Sequence, residues 1–305
     1  MIRLIVGRVL MGVVVLWAVA TVAFFALHAA PGGPFDDERA VPPEVMRNIE
    51  ERYHLDQPIF TQYLHYLGDV VRLDFGHSMK RQQTVAEIIR HHAPYSAKLG
   101  LFALAIAISL GVLLGVLAAH RQNRLADHAA MTVSLIGISV PSFVMGPLLV
   151  MIFALGLFWL PPARIEGFTS YILPATTLGL IYMGTIARLT RSGMLETLRQ
   201  DYIRTARAKG VSERGVVWRH GLRLGLLPVV TYLGPATAGL ISGSFVIEKI
   251  FQVPGLGYSF VASITDRDYP VLTGVLVFYA AFLTALNLVV DIVYGVLDPR
   301  IRDRR

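Results

Sequence analysis

Six blocks of 21 to 35 residues contain no Asp, Glu, Lys or Arg, and they constrain the fold of this chain more than any other feature. A helix rises about 1.5 Å per residue, so about 20 apolar residues cross the ~30 Å hydrocarbon core of a bilayer. The pattern therefore predicts an all-α, polytopic membrane protein with six transmembrane helices. The blocks are Val9–Ala30, Leu99–Ala119, Ala129–Ala163, Gly167–Ala187, Leu224–Ile247 and Tyr269–Val290.

The composition agrees with this interpretation and excludes other classes. Over 305 residues the chain is 54% hydrophobic and 16% charged, whereas a soluble domain carries about 25% charge. A soluble enzyme, a disordered protein and a fibrous protein are excluded. The chain has no Cys, which also excludes disulfides, thiolate metal sites and cysteine nucleophiles.

The third block is longer than one span requires. It contains Pro141 and Pro147, and a proline removes a backbone N–H and kinks a helix. We interpret the block as one kinked span, Met131–Trp159, followed by a turn at Pro161-Pro162. Two short spans are the alternative.

The first block could belong to a cleaved signal peptide, because Arg3 and Arg8 precede it. Its apolar core, Val9–Leu27, has 19 residues, and the apolar region of a signal peptide has about 7–15. We therefore expect a retained transmembrane helix.

The charges outside the spans predict the orientation. With the N-terminus inside, the inner segments hold 17 basic and 6 acidic residues, and the outer segments hold 9 basic and 13 acidic residues. Cytoplasmic loops are enriched in Lys and Arg. Both termini are therefore predicted to be cytoplasmic, and the net charge of +7 reflects sorting across a bilayer rather than binding to nucleic acid.

The segment 31–95 is predicted to be extracytoplasmic. It begins with Pro and Gly residues that cannot continue a helix, and its apolar pattern then predicts amphipathic helices at Glu44–Leu55 and Ile59–Leu73. It is either a cap on the membrane surface or a docking surface for a soluble partner. The chain is accordingly predicted to have three parts. They are residues 1–30 with the first span, the extracytoplasmic segment 31–95, and a core at 96–300 with five spans.

The segment 188–223 carries nine Arg and Lys residues and is predicted to lie inside. Residues 201–210 predict a short helix that ends at Gly210, and Ser212 is predicted to cap a second helix that extends through His220. The resulting helix–Gly–helix hairpin either rests on anionic lipid headgroups or sits in the socket of a cytoplasmic partner.

The letters TARAKG (Thr205–Gly210) in this hairpin resemble the EAA loop of importer-type ABC permeases. That loop reads Glu-Ala-Ala, three residues, then Gly. Ala206 and Gly210 match it, whereas Arg204 and Thr205 occupy the Glu and first Ala positions. These departures resemble the variant found in the dipeptide/oligopeptide permease branch.

Other motifs of that branch follow in order along the whole chain, and the ordered set is far more specific than any one of them. They are AAPGGPF (Ala29–Phe35), YHLDQP (Tyr53–Pro58), LDFGHS (Leu73–Ser78), SVPSF (Ser139–Phe143), VIEKIFQVPGLG (Val246–Gly257) and LDPR (Leu297–Arg300). The resemblance implies the type I ABC importer permease architecture.

The resemblance also implies a heteromeric machine that imports short peptides across the bacterial inner membrane. Its other parts would be a second homologous permease subunit, two cytoplasmic ATPase subunits and an extracytoplasmic solute-binding protein. The chain has no GxxxxGK(S/T) motif and no Gly-Lys dipeptide, so ATP hydrolysis is expected in the separate ATPase subunits. No cofactor, metal or nucleic acid is expected.

Coupling to the ATPases is expected at the hairpin formed by residues 201–220. Tyr202, Ile203 and Ala206 fall on one helix face and are expected to fill a groove of the ATPase. Arg204, Arg207 and Lys209 are expected to contact its acidic or carbonyl groups. The complete expected set is Tyr202, Ile203, Arg204, Thr205, Ala206, Arg207, Ala208, Lys209, Gly210 and Ser212.

A gate or substrate path is the second expected site, around the outer end of the fifth span. Its small residues either let helices pack closely or widen a path, and Glu248 either lies at the water boundary or marks the path. The expected residues are Ser242, Gly243, Ser244, Glu248, Pro254, Gly255 and Gly257.

No catalytic motif is found, because HExxH and GxSxG are both absent. His91 and His92 are adjacent and point to different sides of a helix, which argues against a shared metal. Two alternative functions remain. One is the same importer class with nickel chelates or other small solutes as cargo, and the other is a secondary transporter or channel.

Overall fold

The structure is a computed structural model that describes residues 2–29, 57–241 and 244–297, and within these ranges it is helical, with one isolated β-bridge between His77 and Thr84. The predicted helix Glu44–Leu55 and the residues Ser242 and Gly243 lie outside the described residues. In chain order the α-helices are α1 (Ile2–Ala29), α2 (Ile59–Arg72), α3 (Val85–His120), α4 (Leu125–Ser139), α5 (Ser142–Leu149), α6 (Ile172–Thr197), α7 (Asp201–Ala208), α8 (Glu213–Gly215), α9 (Leu222–Gly225), α10 (Leu227–Ile241), α11 (Phe245–Ile250), α12 (Leu256–Thr265) and α13 (Tyr269–Leu297).

Four helical stretches in the described ranges are long and apolar enough to cross a membrane: Val6–Ala29, Val85–His120, Phe168–Thr197 and Tyr269–Ile292. Two bent helix pairs raise the number to six if each pair counts as one span. The all-α membrane architecture is thus confirmed, and the count of six stays a prediction.

The third apolar block contains a sharp bend, and its assignment as one kinked span stays a prediction. Leu125–Ser139 and Ser142–Gly156 meet at 113°, at the break that Pro141 makes before α5. Pro147 lies inside α5, and the helix continues as a π-helix at Val150–Gly156. A proline has no backbone N–H to donate, so a disturbed hydrogen-bond pattern is expected near it.

Two helices extend well beyond the predicted spans. α3 starts 14 residues before Leu99 because Thr84 and Glu87 form a capping box: the Glu87 N–H donates to Thr84 Oγ1 (3.2 Å) and the Thr84 N–H donates to Glu87 Oε2 (2.9 Å). α6 continues past Ala187 to Thr197. Charged residues end an apolar block but do not end a helix, so hydropathy alone underestimated both lengths.

The chain divides into two compact units, and the first comprises Met1–Pro94 and Gly255–Val289. In it, α2 packs on α1: the rings of Phe24 and Tyr66 lie 5.4 Å apart, and the hydroxyls of Thr21 and Tyr63 are 2.7 Å apart. Tyr63 is buried against α1, whereas Val71 near the end of α2 is 83% exposed.

A buried carboxylate organises the loop before α3 in the same unit. Asp268 accepts hydrogen bonds from the Ser78 hydroxyl and from the Met79 N–H (3.1 Å). Ser78 in turn accepts from the N–H groups of Lys80 and Arg81. Asp268 therefore fixes this loop to the start of α13.

The second unit, Tyr95–Pro254 and Val290–Arg305, is built around α6. Glycines let neighbouring helices approach it closely: a Cβ on Gly184 would collide with the carbonyl oxygen of Ser134 in α4, and one on Gly179 would lie 2.8 Å from that of Ala103 in α3. Gly193 similarly faces the carbonyl oxygen of Gly225. Small residues permit this close helix packing.

Candidate coupling hairpin and gate

Residues 201–220 form the predicted hairpin, and its turn is a Schellman motif. The N–H of Gly210 donates to Arg207 O (2.9 Å) and that of Val211 to Ala206 O (3.2 Å), the bond pair that defines this motif. Gly210 has φ +79°, a conformation that costs other residues about 1–2 kcal/mol. The predicted helix stop at Gly210 is confirmed.

The second limb of the hairpin begins as predicted and extends further. Ser212 Oγ accepts from the Gly215 N–H at 3.3 Å, and this cap starts a helical run that passes through a π-helix at Val216–Gly221 into α9, ending at Gly225. The run therefore ends five residues beyond the predicted His220.

The two limbs hold each other through a small apolar core. Ile203 is 0% exposed, Ala206 is 8% exposed and Val216 is 0% exposed, and Leu198 and Val211 pack against them. Ile203 and Ala206 are thus covered by their own chain and cannot fill the groove of a partner, which corrects that expectation. An amphipathic helix in the sequence indicates that its apolar side chains are buried, but it does not identify the part of the chain or the partner that buries them.

An ion pair connects the same limbs on the outside of the hairpin. Arg207 donates to Glu213 from Nε (3.1 Å) and from Nη2 (2.7 Å). The Glu213 carboxylate hydrogen-bonds the guanidinium and raises the pKa of Arg207 above its ordinary value. Arg207 is consequently engaged within the chain, whereas it was expected to contact a partner.

The remaining expected coupling residues lie on the surface. Tyr202 is 39% exposed, with its hydroxyl 3.4 Å from the carbonyl oxygen of His220. Arg204 is exposed and lies 3.4 Å from Asp201. The outward face of the hairpin comprises Tyr202, Arg204, Thr205, Ala208 and Lys209.

The hairpin is packed directly against the long helices. Val217 belongs to a buried cluster with Met194 of α6 and with Val116 and Ala119 of α3. Gly225 at its end lies against Met194. A displacement of the hairpin would therefore act on α3 and α6.

A buried ion pair between α6 and α4 was not predicted from the sequence. Arg191 of α6 donates from Nε and Nη2 to the two carboxylate oxygens of Asp127 in α4, both at 2.7 Å. Asp127 is 2% exposed and also accepts the Asn123 N–H at 2.9 Å. Asp127 lies in the first turn of α4, where acidic residues are common, and nothing in the sequence indicates that it pairs with an arginine 64 residues away.

The described gate residues are divided between the two compact units, and a gate formed by them stays a prediction. Ser244 caps α11 by accepting the Ile247 N–H at 3.4 Å, and it lies with Glu248 and Pro254 in the second compact unit, whereas Gly255 and Gly257 belong to the first. Glu248 is 0% exposed. Its carboxylate is therefore enclosed by the protein, and both its position at the water boundary and its role in a path stay predictions.

Within the described ranges no group of three or more His, Cys, Asp or Glu side chains could hold a metal ion. What the structure does contain is a polytopic helical membrane protein with a rigid, polar hairpin packed against its long helices. The chain belongs to the family described as binding-protein-dependent transport system inner membrane components, which it matches over residues 111–303, and residues 1–100 match the N-terminal region of such components. It is accordingly a multi-pass inner membrane transport component.

Several relatives align with nearly the whole chain. The oligopeptide transport system permease protein OppB of Escherichia coli (strain K12) is 45% identical over 305 residues, which is 99% of this chain and 100% of the relative. The dipeptide transport system permease protein DppB of Bacillus subtilis (strain 168) is 45% identical, covering 93% and 92%. The glutathione transport system permease protein GsiC of Escherichia coli is 38% identical, covering 99% of both.

Proposed function

We propose that this chain is a permease subunit of an ABC importer that moves short peptides across the inner membrane. The observation that carries the proposal is the 45% identity over the full length to an oligopeptide permease. The complete machine would contain a second homologous permease subunit, two cytoplasmic ATPase subunits and an extracytoplasmic solute-binding protein, with both termini of this chain in the cytoplasm.

In this proposal the 201–220 hairpin is the part that the ATPases hold. Its apolar core and the Arg207–Glu213 pair keep it rigid, and its outward face offers Tyr202, Arg204 and Lys209 to a partner. Because Val217 packs on Met194, closure of the ATPases would tilt α6 and α3. A ligand shifts such an equilibrium only through different affinities for the two states.

One comparison points to a particular short peptide. The relative from Escherichia coli that is 38% identical over 99% of the chain is a glutathione permease. Glutathione is a tripeptide and so belongs to the proposed class of short peptides, whereas nickel chelates and other small non-peptide solutes are the alternative cargo.

Reconstitution in proteoliposomes tests the proposal. We expect uptake of a labelled tripeptide only when the chain is combined with its partner subunits, the binding protein and ATP. A non-hydrolysable ATP analogue serves as the matched control and should abolish sustained uptake. ATP-independent uptake by the chain alone would instead indicate a channel or secondary transporter.

The absence of Cys from the chain makes the orientation directly testable. Lys209→Cys and Leu73→Cys introduce single thiols at exposed positions, in the hairpin and after α2. In intact spheroplasts a membrane-impermeant maleimide should label Leu73→Cys and should leave Lys209→Cys unlabelled. The reverse pattern would contradict a cytoplasmic hairpin.

A further inference from the structure

A cavity of about 300 Å³ lies inside the first compact unit, between the end of α1, α2, the loop after α2 and the start of α13. This volume is at the lower end of the roughly 300–1,000 Å³ typical of small-molecule sites. It would hold a group the size of an amino acid but not an extended oligopeptide.

Aromatic rings form much of the wall. Phe24 and Tyr66 stack with their ring centroids 5.4 Å apart and 25° between their planes, and the Tyr269 ring lies 5.9 Å from that of His28. Burial raises the pKa of Tyr66 to about 12, so its phenol is neutral at physiological pH. The negative face of an aromatic ring attracts organic cations, and the Phe24 ring, which is stacked by His28 (4.1 Å) and Tyr66, serves as packing behind the wall.

The polar lining is negatively charged rather than positively charged. Asp69 and Asp74 line the cavity, and no Lys or Arg occurs among its described lining residues. Asp74 accepts the Gly76 N–H at 3.0 Å, and neither carboxylate forms an ion pair within the ranges that the structure describes. Both carboxylates lie at the exposed rim, where an entering cation would meet them.

The imidazole of His28 forms part of the fixed wall. Its Nδ1 lies 2.9 Å from Phe24 O and its Nε2 lies 3.1 Å from Gln62 Oε1. The amide of Gln62 is itself oriented, because its Nε2 donates to Gln57 O at 2.8 Å. The cavity is thus pre-formed on this side, which reduces the ordering cost of binding.

We propose that this cavity binds a primary ammonium group, with the rings of Tyr66 and Tyr269 in its wall and Asp69 and Asp74 at the entrance. The ammonium group could be the free amino terminus of a cargo peptide, an assignment that rests on the proposed function, or the headgroup amine of phosphatidylethanolamine. The chemistry of recognition is the same for both.

The test measures binding to the full-length chain in phosphatidylcholine nanodiscs, with no ATPase or uptake involved, so its failure would leave the transport function intact. n-Pentylamine and n-pentanol are the probes, at pH 8 and by isothermal titration calorimetry. We expect pentylamine to bind at least tenfold more tightly than pentanol. Equal affinities would overturn the proposal.

Variants assign the binding to this cavity. The double variant Asp69→Asn, Asp74→Asn should weaken pentylamine binding about tenfold, whereas Asp266→Asn removes an exposed charge elsewhere in the same unit and should change nothing. Asp69→Glu keeps the charge and should retain binding. An unaltered affinity in the double variant would place the amine elsewhere and contradict the proposal.

Competition then identifies the source of the amine. If cargo is bound, trialanine should displace pentylamine and N-acetyl-trialanine should not. If lipid is bound, nanodiscs with phosphatidylethanolamine should weaken pentylamine binding relative to nanodiscs with phosphatidylcholine alone.

Discussion

Arg191 and Asp127, 64 residues apart in the sequence, face each other with two parallel hydrogen bonds of 2.7 Å. The pair fastens the end of α6 to the first turn of α4, close to the hairpin. Because Asp127 is 2% exposed, the loss of Arg191 would leave a buried carboxylate uncompensated.

We therefore expect Arg191→Met to destabilise the protein strongly. Breaking a fully buried pair costs roughly 3–5 kcal/mol, and the lower end applies because the Arg191 side chain is 28% exposed. Denaturant unfolding in detergent measures the loss. Arg188→Met removes an exposed arginine from the same helix and should be nearly neutral; equal losses would show that the pair contributes nothing specific.

Ile203→Ala should loosen the hairpin without altering its outward face. Truncating a buried Ile costs about 2–5 kcal/mol, and here the loss falls on the contact with Val216. Amide hydrogen exchange of residues 201–220 should become faster. Thr205→Ala changes an exposed side chain on the same short helix and should leave exchange unaffected, so similar acceleration in both variants would argue against the apolar core.

Arg204→Glu combined with Lys209→Glu should uncouple transport while preserving the fold. Both side chains are exposed, so the reversal repels an acidic partner without disturbing buried groups. Peptide uptake by the reconstituted importer should fall at least tenfold, while the thermal stability of the chain stays unaltered. Arg121→Glu, an exposed reversal outside the hairpin, is the control; normal uptake in the double variant would exclude this face from coupling.

Substitutions at Gly210 should rank by their tolerance of positive φ. Gly210→Asn should be mild, Gly210→Ala should cost about 1 kcal/mol, and Gly210→Pro should be worst, because proline cannot adopt φ +79° and removes the N–H that bonds Arg207 O. The Gly210→Pro variant should reach the membrane, and the ATPase subunits of an importer that contains it should hydrolyse ATP without peptide uptake. Protease accessibility of the hairpin and uptake measure the series, and equal behaviour of all three variants would contradict the strained turn.

Local features of the hairpin were predictable from the sequence. A glycine after an amphipathic stretch and a serine before the next helix specify a turn and a cap through local interactions alone, and Gly210 and Ser212 take these roles. The apolar blocks likewise located the membrane helices, because the bilayer sets their minimum length.

Features that depend on distant contacts were not predictable. Ile203 lies on the expected apolar face, but its cover is Val216 of the same chain rather than another protein. The 113° bend at Pro141 depends on packing that the proline permits but does not specify. The cavity near Tyr66 required α1, α2 and α13 to be brought together.

The self-contained core of the hairpin has an evolutionary consequence. Since Ile203, Ala206 and Val216 pack on one another, the five side chains of the outward face can be substituted in evolution without unfolding the hairpin. If the ATPase subunits of the proposed importer bind this face, paralogous importers in one cell could keep separate ATPase subunits through a few surface substitutions. Grafting the five side chains between paralogues should then transfer the preference for an ATPase subunit.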